Sequence, residues 1–210
     1  MADPVAFPNI GITMLDFDQV DPVNIARMEG RRTEEEYAYE PHWRASFSLP
    51  PVNNDNIGAL RVFLTSRGTF LAHDHSRPRP LSYDDGTPLS GTRAIGGAFS
   101  GDAVINSLSD RLAPVIQGLP EDFAFTAGDY IEFRLSAKIR SLHRIAVDVV
   151  GNDSGIVTLT LQTPVPQEFT TSHTAHLEKP SCVMKVEKRS TPLTPVNSTF
   201  SFEAVEVFPR

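Results

Sequence analysis

Cysteine is nearly absent from this 210-residue chain, in which Cys182 is the only one. A lone thiol cannot close an intrachain disulfide, so no disulfide framework staples the fold. One cysteine and six scattered histidines also cannot build a zinc finger, which needs four converging ligands. Long apolar runs are missing too. No stretch approaches the roughly 20 residues a membrane-spanning helix requires. The opening residues MADPVAFPN lack the basic and apolar regions of a signal peptide, so no membrane partner is expected. Basic charge is in deficit, with 19 Lys and Arg against 26 Asp and Glu and a net charge of −7. Gripping nucleic acid takes a concentrated positive field, so DNA is expected at most as passing cargo. The sequence contains no G-x-x-x-x-G-K-[ST], G-x-G-x-x-G or G-x-S-x-G pattern, which removes the usual signals for a bound nucleotide or a serine nucleophile. No cofactor is expected.

What the chain does have is punctuation, 17 prolines and 13 glycines. Up to residue 42, Pro4, Pro8 and Pro22 interrupt any regular pattern, and this region reads as an N-terminal arm. It contains the mixed-sign run Arg27 to Glu36, in which Arg27, Arg31, Arg32, Glu34 and Glu35 stand out. Such a run is ordinarily a solvated loop; it is also a surface able to pair with a complementary neighbour. From Trp43 the pattern is clear. Trp43, Ala45, Phe47 and Leu49 alternate with polar residues as in a half-buried strand, which Pro50-Pro51 stops. Ile57, Leu60, Phe63 and Leu64 share a stripe that predicts a helix over 53–67, ended by Gly68. A short strand over 69–72 follows.

Residues 73–101 are dominated by Pro, Gly, Ser and Asp and read as a long loop system with room for one short hairpin. Loops of this length in compact domains are usually functional or interface-forming. Residues 102–119 stay open between helix and strand: Val104, Leu108 and Leu112 fit a helical face, while Pro114 and its β-branched neighbours suit a strand. Beyond them the chain alternates as β, with strands expected over 130–135, 142–150, 156–162, 182–188 and 199–207, and a hairpin loop at 151–155. Many short strands separated by turn signals predict a mainly β fold, a β-sandwich or barrel-like domain over 43–210, with one short helix and a loop insertion at about 73–101.

The chemistry-bearing candidates are few. His73-Asp74-His75 places two imidazoles on one side of an extended segment, where they are weak metal-ligand candidates, and His173 and His176 lie elsewhere in the chain. Arg77 and Arg79 follow closely and disfavour a cation there. Asp84-Asp85-Gly86 is better explained as turn chemistry than as a glycosidase pair. Trp43 and Tyr83 have the shape to stack on a sugar, although a lone Trp in an alternating strand is more often core. Arg77, Arg79, Tyr83, Asp84 and Asp85 are therefore read as interface candidates, together with the charged run of the arm.

The order of segments resembles the minor tail or distal-tail (baseplate) proteins of long-tailed bacteriophages. The resemblance runs through Trp43-Arg44-Ala45-Ser46-Phe47-Ser48-Leu49-Pro50-Pro51, a helix with Ala59, Leu60, Phe63 and Leu64, and Arg67-Gly68-Thr69-Phe70-Leu71-Ala72-His73-Asp74. It continues through Thr126-Ala127-Gly128-Asp129-Tyr130-Ile131, a hairpin around residues 148–155 and Phe200-Ser201-Phe202-Glu203-Ala204. The resemblance implies a non-enzymatic virion protein of the tail tip, made in the host bacterial cytoplasm. It further implies a homo-oligomeric ring meeting tube, hub or fibre proteins, and it carries over no catalytic residue. A carbohydrate-binding or adhesin module built on Trp43 and Tyr83, and a metal-dependent hydrolase built on His73, Asp74 and His75, are the alternatives from other classes.

Overall fold

A computed structural model describes residues 3–8, 10–21, 23–27, 33–37, 41–51, 54–65, 68–189 and 200–208. The fold is mainly β, with curled antiparallel sheets of the sandwich or barrel-like kind and one α-helix among the described residues. The chain divides into two compact units. The larger comprises residues 1–4, 70–183 and 208–210, and the smaller comprises 5–69 and 184–207.

The smaller unit is built on β1 (Met14–Val20), β4 (His42–Leu49), β16 (Cys182–Arg189) and β17 (Phe200–Glu206), ordered β1-β4-β17-β16. β5 (Phe70–Ala72) and the first two residues of β16 belong to the larger unit. The alternation read from the sequence sets the buried face. Trp43, Ala45, Phe47 and Leu49 of β4 are buried, as are Phe200, Phe202 and Ala204 of β17. Their register places Phe47 opposite Phe202, and the two rings stack with centroids 4.8 Å apart. Phe7 stacks on both. Helix α1 (Asn54–Thr65) buries Ile57, Leu60, Phe63 and Leu64, the stripe that predicts it, and sets Phe63 edge-on to Phe7 and Phe202. Each buried ring of this kind contributes about 1.5–3 kcal/mol through removal from water.

Part of the expected arm is sheet. β1 pairs with β4 along its whole length, from Met14 opposite Ser48 to Val20 opposite His42. Phe17 is buried against Trp43 at 5.3 Å. The prolines at 4, 8 and 22 bracket this strand without interrupting it. Further on, β2 (Val23–Arg27) and β3 (Thr33–Tyr37) form a two-stranded hairpin that, among the described residues, pairs with no other strand. Arg27 ends β2, Glu34 and Glu35 lie in β3, and Arg31 and Arg32 lie outside the described residues.

In the larger unit a six-stranded antiparallel sheet has the order β12-β11-β15-β8-β9-β14. These strands are β8 (Asp102–Ser107), β9 (Val115–Gln117), β11 (Tyr130–Arg134), β12 (Arg140–Arg144), β14 (Ile156–Thr158) and β15 (Thr174–His176). β10 (Ala124–Phe125) pairs with β13 (Val149–Val150), and within the long loop β6 (Gly91–Thr92) pairs with β7 (Ala98–Phe99). One hydrophobic core joins Ile105, Ile116, Phe123, Phe125, Ile131, Phe133, Ile145, Leu159 and Phe169. Within residues 102–119 the regular elements are the strands β8 and β9, joined by an irregular segment. Ala103, Ile105 and Ile116 enter the core in strand alternation, whereas Leu112, on the alternative helical face, is exposed. The strand expected over 142–150 breaks into β12 and β13, because Ile145 bridges to Leu161 and Asp148 turns its carboxylate to the Ala127 N–H.

Candidate functional site

Residues 73–101 form a loop pinned by buried charge. Arg79 is only 7% exposed; its Nη2 donates to Glu178 Oε1 at 2.8 Å, its Nε to Glu178 Oε2 at 3.2 Å, and its Nη1 to Asp84 Oδ1 at 3.1 Å. Glu178 Oε2 also accepts the Leu89 N–H at 2.9 Å. Burial works to raise the Glu178 pKa, but Arg79 and the Leu89 N–H outweigh it and hold the carboxyl below its ordinary value. Lys179 donates its backbone N–H to Pro78 O at 2.6 Å, so the 178–179 turn straps the loop twice.

A second anchor is Asp129, in the turn before β11, where Gly128 at φ +92 supplies a left-handed residue. Its buried carboxylate accepts the Leu81 N–H at 3.0 Å, the Thr126 N–H at 2.7 Å and Arg77 Nη1 at 3.3 Å. The third anchor is Arg93. Its guanidinium donates to Ala98 O, Asp102 O, Gly118 O and the Asp102 carboxylate, closing the β6–β7 turn around Gly96 and Gly97. At the tip of that turn Ile95 is 77% exposed, and Leu81, behind the Asp129 anchor, is exposed as well. The loop is therefore fixed in shape and presents Ile95 and Leu81 to solvent.

The sequence candidates are distributed as follows. Arg79 and Asp84 come together, but on Glu178 and on each other, with Arg79 buried. Arg77 pairs with Asp129. Tyr83 stacks on Phe123 at 4.3 Å, and its hydroxyl accepts the Ala124 N–H. Asp85 caps its own turn through Thr87, whose hydroxyl and backbone N–H hold the carboxyl below its ordinary pKa. Trp43 is 1% exposed, so it offers no face to a sugar. The structure does bring His73 and His75 together, their rings stacked 4.1 Å apart. Burial first, then the neighbouring His75 charge, lowers the His73 pKa to about 4. Asp74 accepts from Ser76 and from the Tyr130 hydroxyl. Among the described residues, no group of three or more His, Cys, Asp or Glu is placed to hold a metal ion. No helix among them is long and apolar enough to cross a membrane.

A second histidine is fully internal. His143 Nε2 lies 2.8 Å from Ser141 Oγ and Nδ1 lies 3.2 Å from Thr163 O, an arrangement a neutral ring satisfies by accepting from Ser141 and donating to Thr163. Burial lowers its pKa to about 4. A histidine depressed in the folded state gives stability that is complete above its unfolded pKa of about 6.5 and lost as pH falls toward 4. The larger unit is thus expected to lose about 3 kcal/mol on acidification through that window from His143 alone. Ring NMR shifts of His143 check this: they are expected to report a neutral ring at pH 5, and a charged ring there would contradict it.

The pattern of the sequence did not point to one further cluster. Glu132 is completely buried in β11; its Oε1 accepts Arg134 Nε at 2.6 Å and Arg140 Nη1 at 3.0 Å, and its Oε2 accepts both the N–H and the hydroxyl of Ser181 at 3.0 Å. The available signal was a carboxylate between Ile131 and Phe133 in a strand that is otherwise apolar on both sides. No protein-family model matches the chain, and no curated protein matches it.

Proposed function

We propose that the protein is a structural subunit of the tail tip of a long-tailed bacteriophage, a distal-tail or baseplate ring component that joins the tube to tip or fibre proteins. The observation that carries this reading is the ion-pinned loop at 73–101, fixed by Arg79, Asp129 and Arg93 and presenting Ile95 and Leu81. A ring subunit benefits from contact loops that are shaped before assembly, because little conformational entropy is then lost on docking. The resemblance of the segment order to that of tail-tip proteins supports the same reading, and the mainly β scaffold is compatible with it.

Self-assembly is the first property to measure. By light scattering, the wild-type protein is expected to give a mass above the monomer that grows with concentration. Ile95→Asp, which places a charge on an exposed tip without touching the core, is expected to shift the protein to monomer with an unchanged melting curve. A wild-type protein that stays monomeric at all concentrations would contradict the reading.

A further inference from the structure

The corner where β11 turns into β12 carries three cations, Arg134, Lys138 and Arg140, in a protein whose net charge is −7. Register sets Arg134 directly opposite Arg140, and like charges facing each other across an antiparallel pair repel. One carboxylate lies between them. Glu132 bonds both guanidiniums through the same oxygen and gives its other oxygen to Ser181, so its acceptor sites are occupied. Two arginines on one carboxylate leave a positive charge over.

The two arginines are held differently. Arg140 is mostly covered, its side chain 9% exposed, and is tied by Nε to Ala137 O and by Nη1 to Ser181 Oγ. Arg134 is 31% exposed; its Nε is engaged, and its two terminal amino groups make no hydrogen bond among the described residues. The open edge of a guanidinium is a planar two-donor fork, which matches a carboxylate in bidentate geometry. Lys138, in the same turn, adds a cation that pairs with Asp3.

A matching anion is present in the chain itself. Strand β3 carries three consecutive glutamates, Glu34, Glu35 and Glu36, in a hairpin that pairs with no other strand among the described residues. A two-stranded hairpin is marginally stable by itself in water, so laying it against a partner stabilises it. We infer that Arg134, with Arg140 behind it, is a carboxylate receptor, and that its occupant is the Glu34–Glu36 segment of a second copy of this chain. Two different patches, one basic and one acidic, are what a head-to-tail ring contact requires. The inference rests on the self-assembly reading above and names the contact that would carry it.

Charge reversal tests it by light scattering at low salt. Arg134→Glu is expected to weaken self-association at least tenfold, and so is the triple change Glu34→Lys, Glu35→Lys, Glu36→Lys. The two combined in one chain are expected to restore it. Raising salt to about 0.5 M is expected to weaken wild-type assembly, because exposed charges are screened. Should Arg134→Glu fail to fold, as judged by circular dichroism, Arg134→Gln keeps the size without the charge and is expected to give a smaller loss in the same direction. Unchanged assembly after reversal, or no recovery in the combined variant, overturns the receptor; a hairpin that folds back onto its own copy gives that outcome. If Ile95→Asp abolishes assembly while Arg134→Glu does not, the receptor falls and the tail-subunit reading stands.

Discussion

Glu206→Gln is expected to make the smaller unit more stable at pH 8 and to remove most of its pH dependence between about 4.5 and 8. Glu206 ends β17, opposite Met184 of β16, and is buried. Its carboxyl accepts the Trp43 N–H at 3.0 Å. Burial raises its pKa from 4.5 to about 8, with the Trp43 N–H opposing the rise. A carboxyl with a raised folded-state pKa stays protonated in the folded protein while the unfolded chain ionises. Its contribution to stability is therefore complete below 4.5 and is lost as pH rises toward 8. At about 1.4 kcal/mol per pH unit, the loss is on the order of 5 kcal/mol. Glutamine keeps an oxygen for the Trp43 N–H and cannot ionise. Trp43 is the only tryptophan in the chain and lies at this carboxyl, so urea unfolding followed by its fluorescence reads the unit directly. The wild type is expected to unfold at lower urea at pH 8 than at pH 5, and the variant at nearly the same urea at both. Equal wild-type midpoints would show that the folded carboxyl is already ionised. The sign is opposite to that of His143, so the smaller unit gains stability on mild acidification and the larger unit loses it.

Arg79→Ala is expected to have the other large effect. Glu178 and Asp84 are 23% and 29% exposed and stay partly solvated, so losing their shared guanidinium is expected to cost about 1–3 kcal/mol, less than for a fully buried pair. Here Glu178 loses both of its guanidinium bonds and Asp84 loses one. The loop would then be held chiefly by the Asp129 and Arg93 anchors, and the Leu89 N–H, bonded to Glu178 Oε2, is expected to exchange with solvent much faster. Arg79→Lys is expected to recover only part of the loss, since an ammonium cannot make the two-pronged contact. Hydrogen exchange on both variants, with denaturant unfolding of the larger unit, checks this; protection at Leu89 equal to wild type in Arg79→Ala would show that Arg79 does not hold the loop.

Much of the scaffold was legible because period-2 alternation needs no partner to be seen. Phe200, Phe202 and Ala204, and Trp43, Ala45 and Phe47, announce their strands and their buried faces. The helical stripe of Ile57, Leu60 and Leu64 is similarly explicit. β1 was hidden by the prolines around it, and residues 102–119 carried both periods until packing selected Ile105 and Ile116. The division into two units was hidden as well, since the smaller one is assembled from segments more than a hundred residues apart. The candidate site was less legible than the fold. Composition marked 73–101 as a functional loop, but it could not show that Arg79 turns inward to Glu178, 99 positions away. Nor could it show that Arg134 and Arg140 face each other, which is a consequence of register.

A structural tail-tip subunit, as proposed, is a built-in part of the phage particle. Under the proposed tail-tip role, quantitative mass spectrometry of purified, nuclease-treated phage particles, from a source that carries this chain, is the most direct test. The account predicts the chain in intact particles at a fixed low copy number, in constant ratio to the tail-tip proteins and far below the tail-tube protein. Its absence from infectious particles, with the chain abundant in the infected cell, would contradict the account.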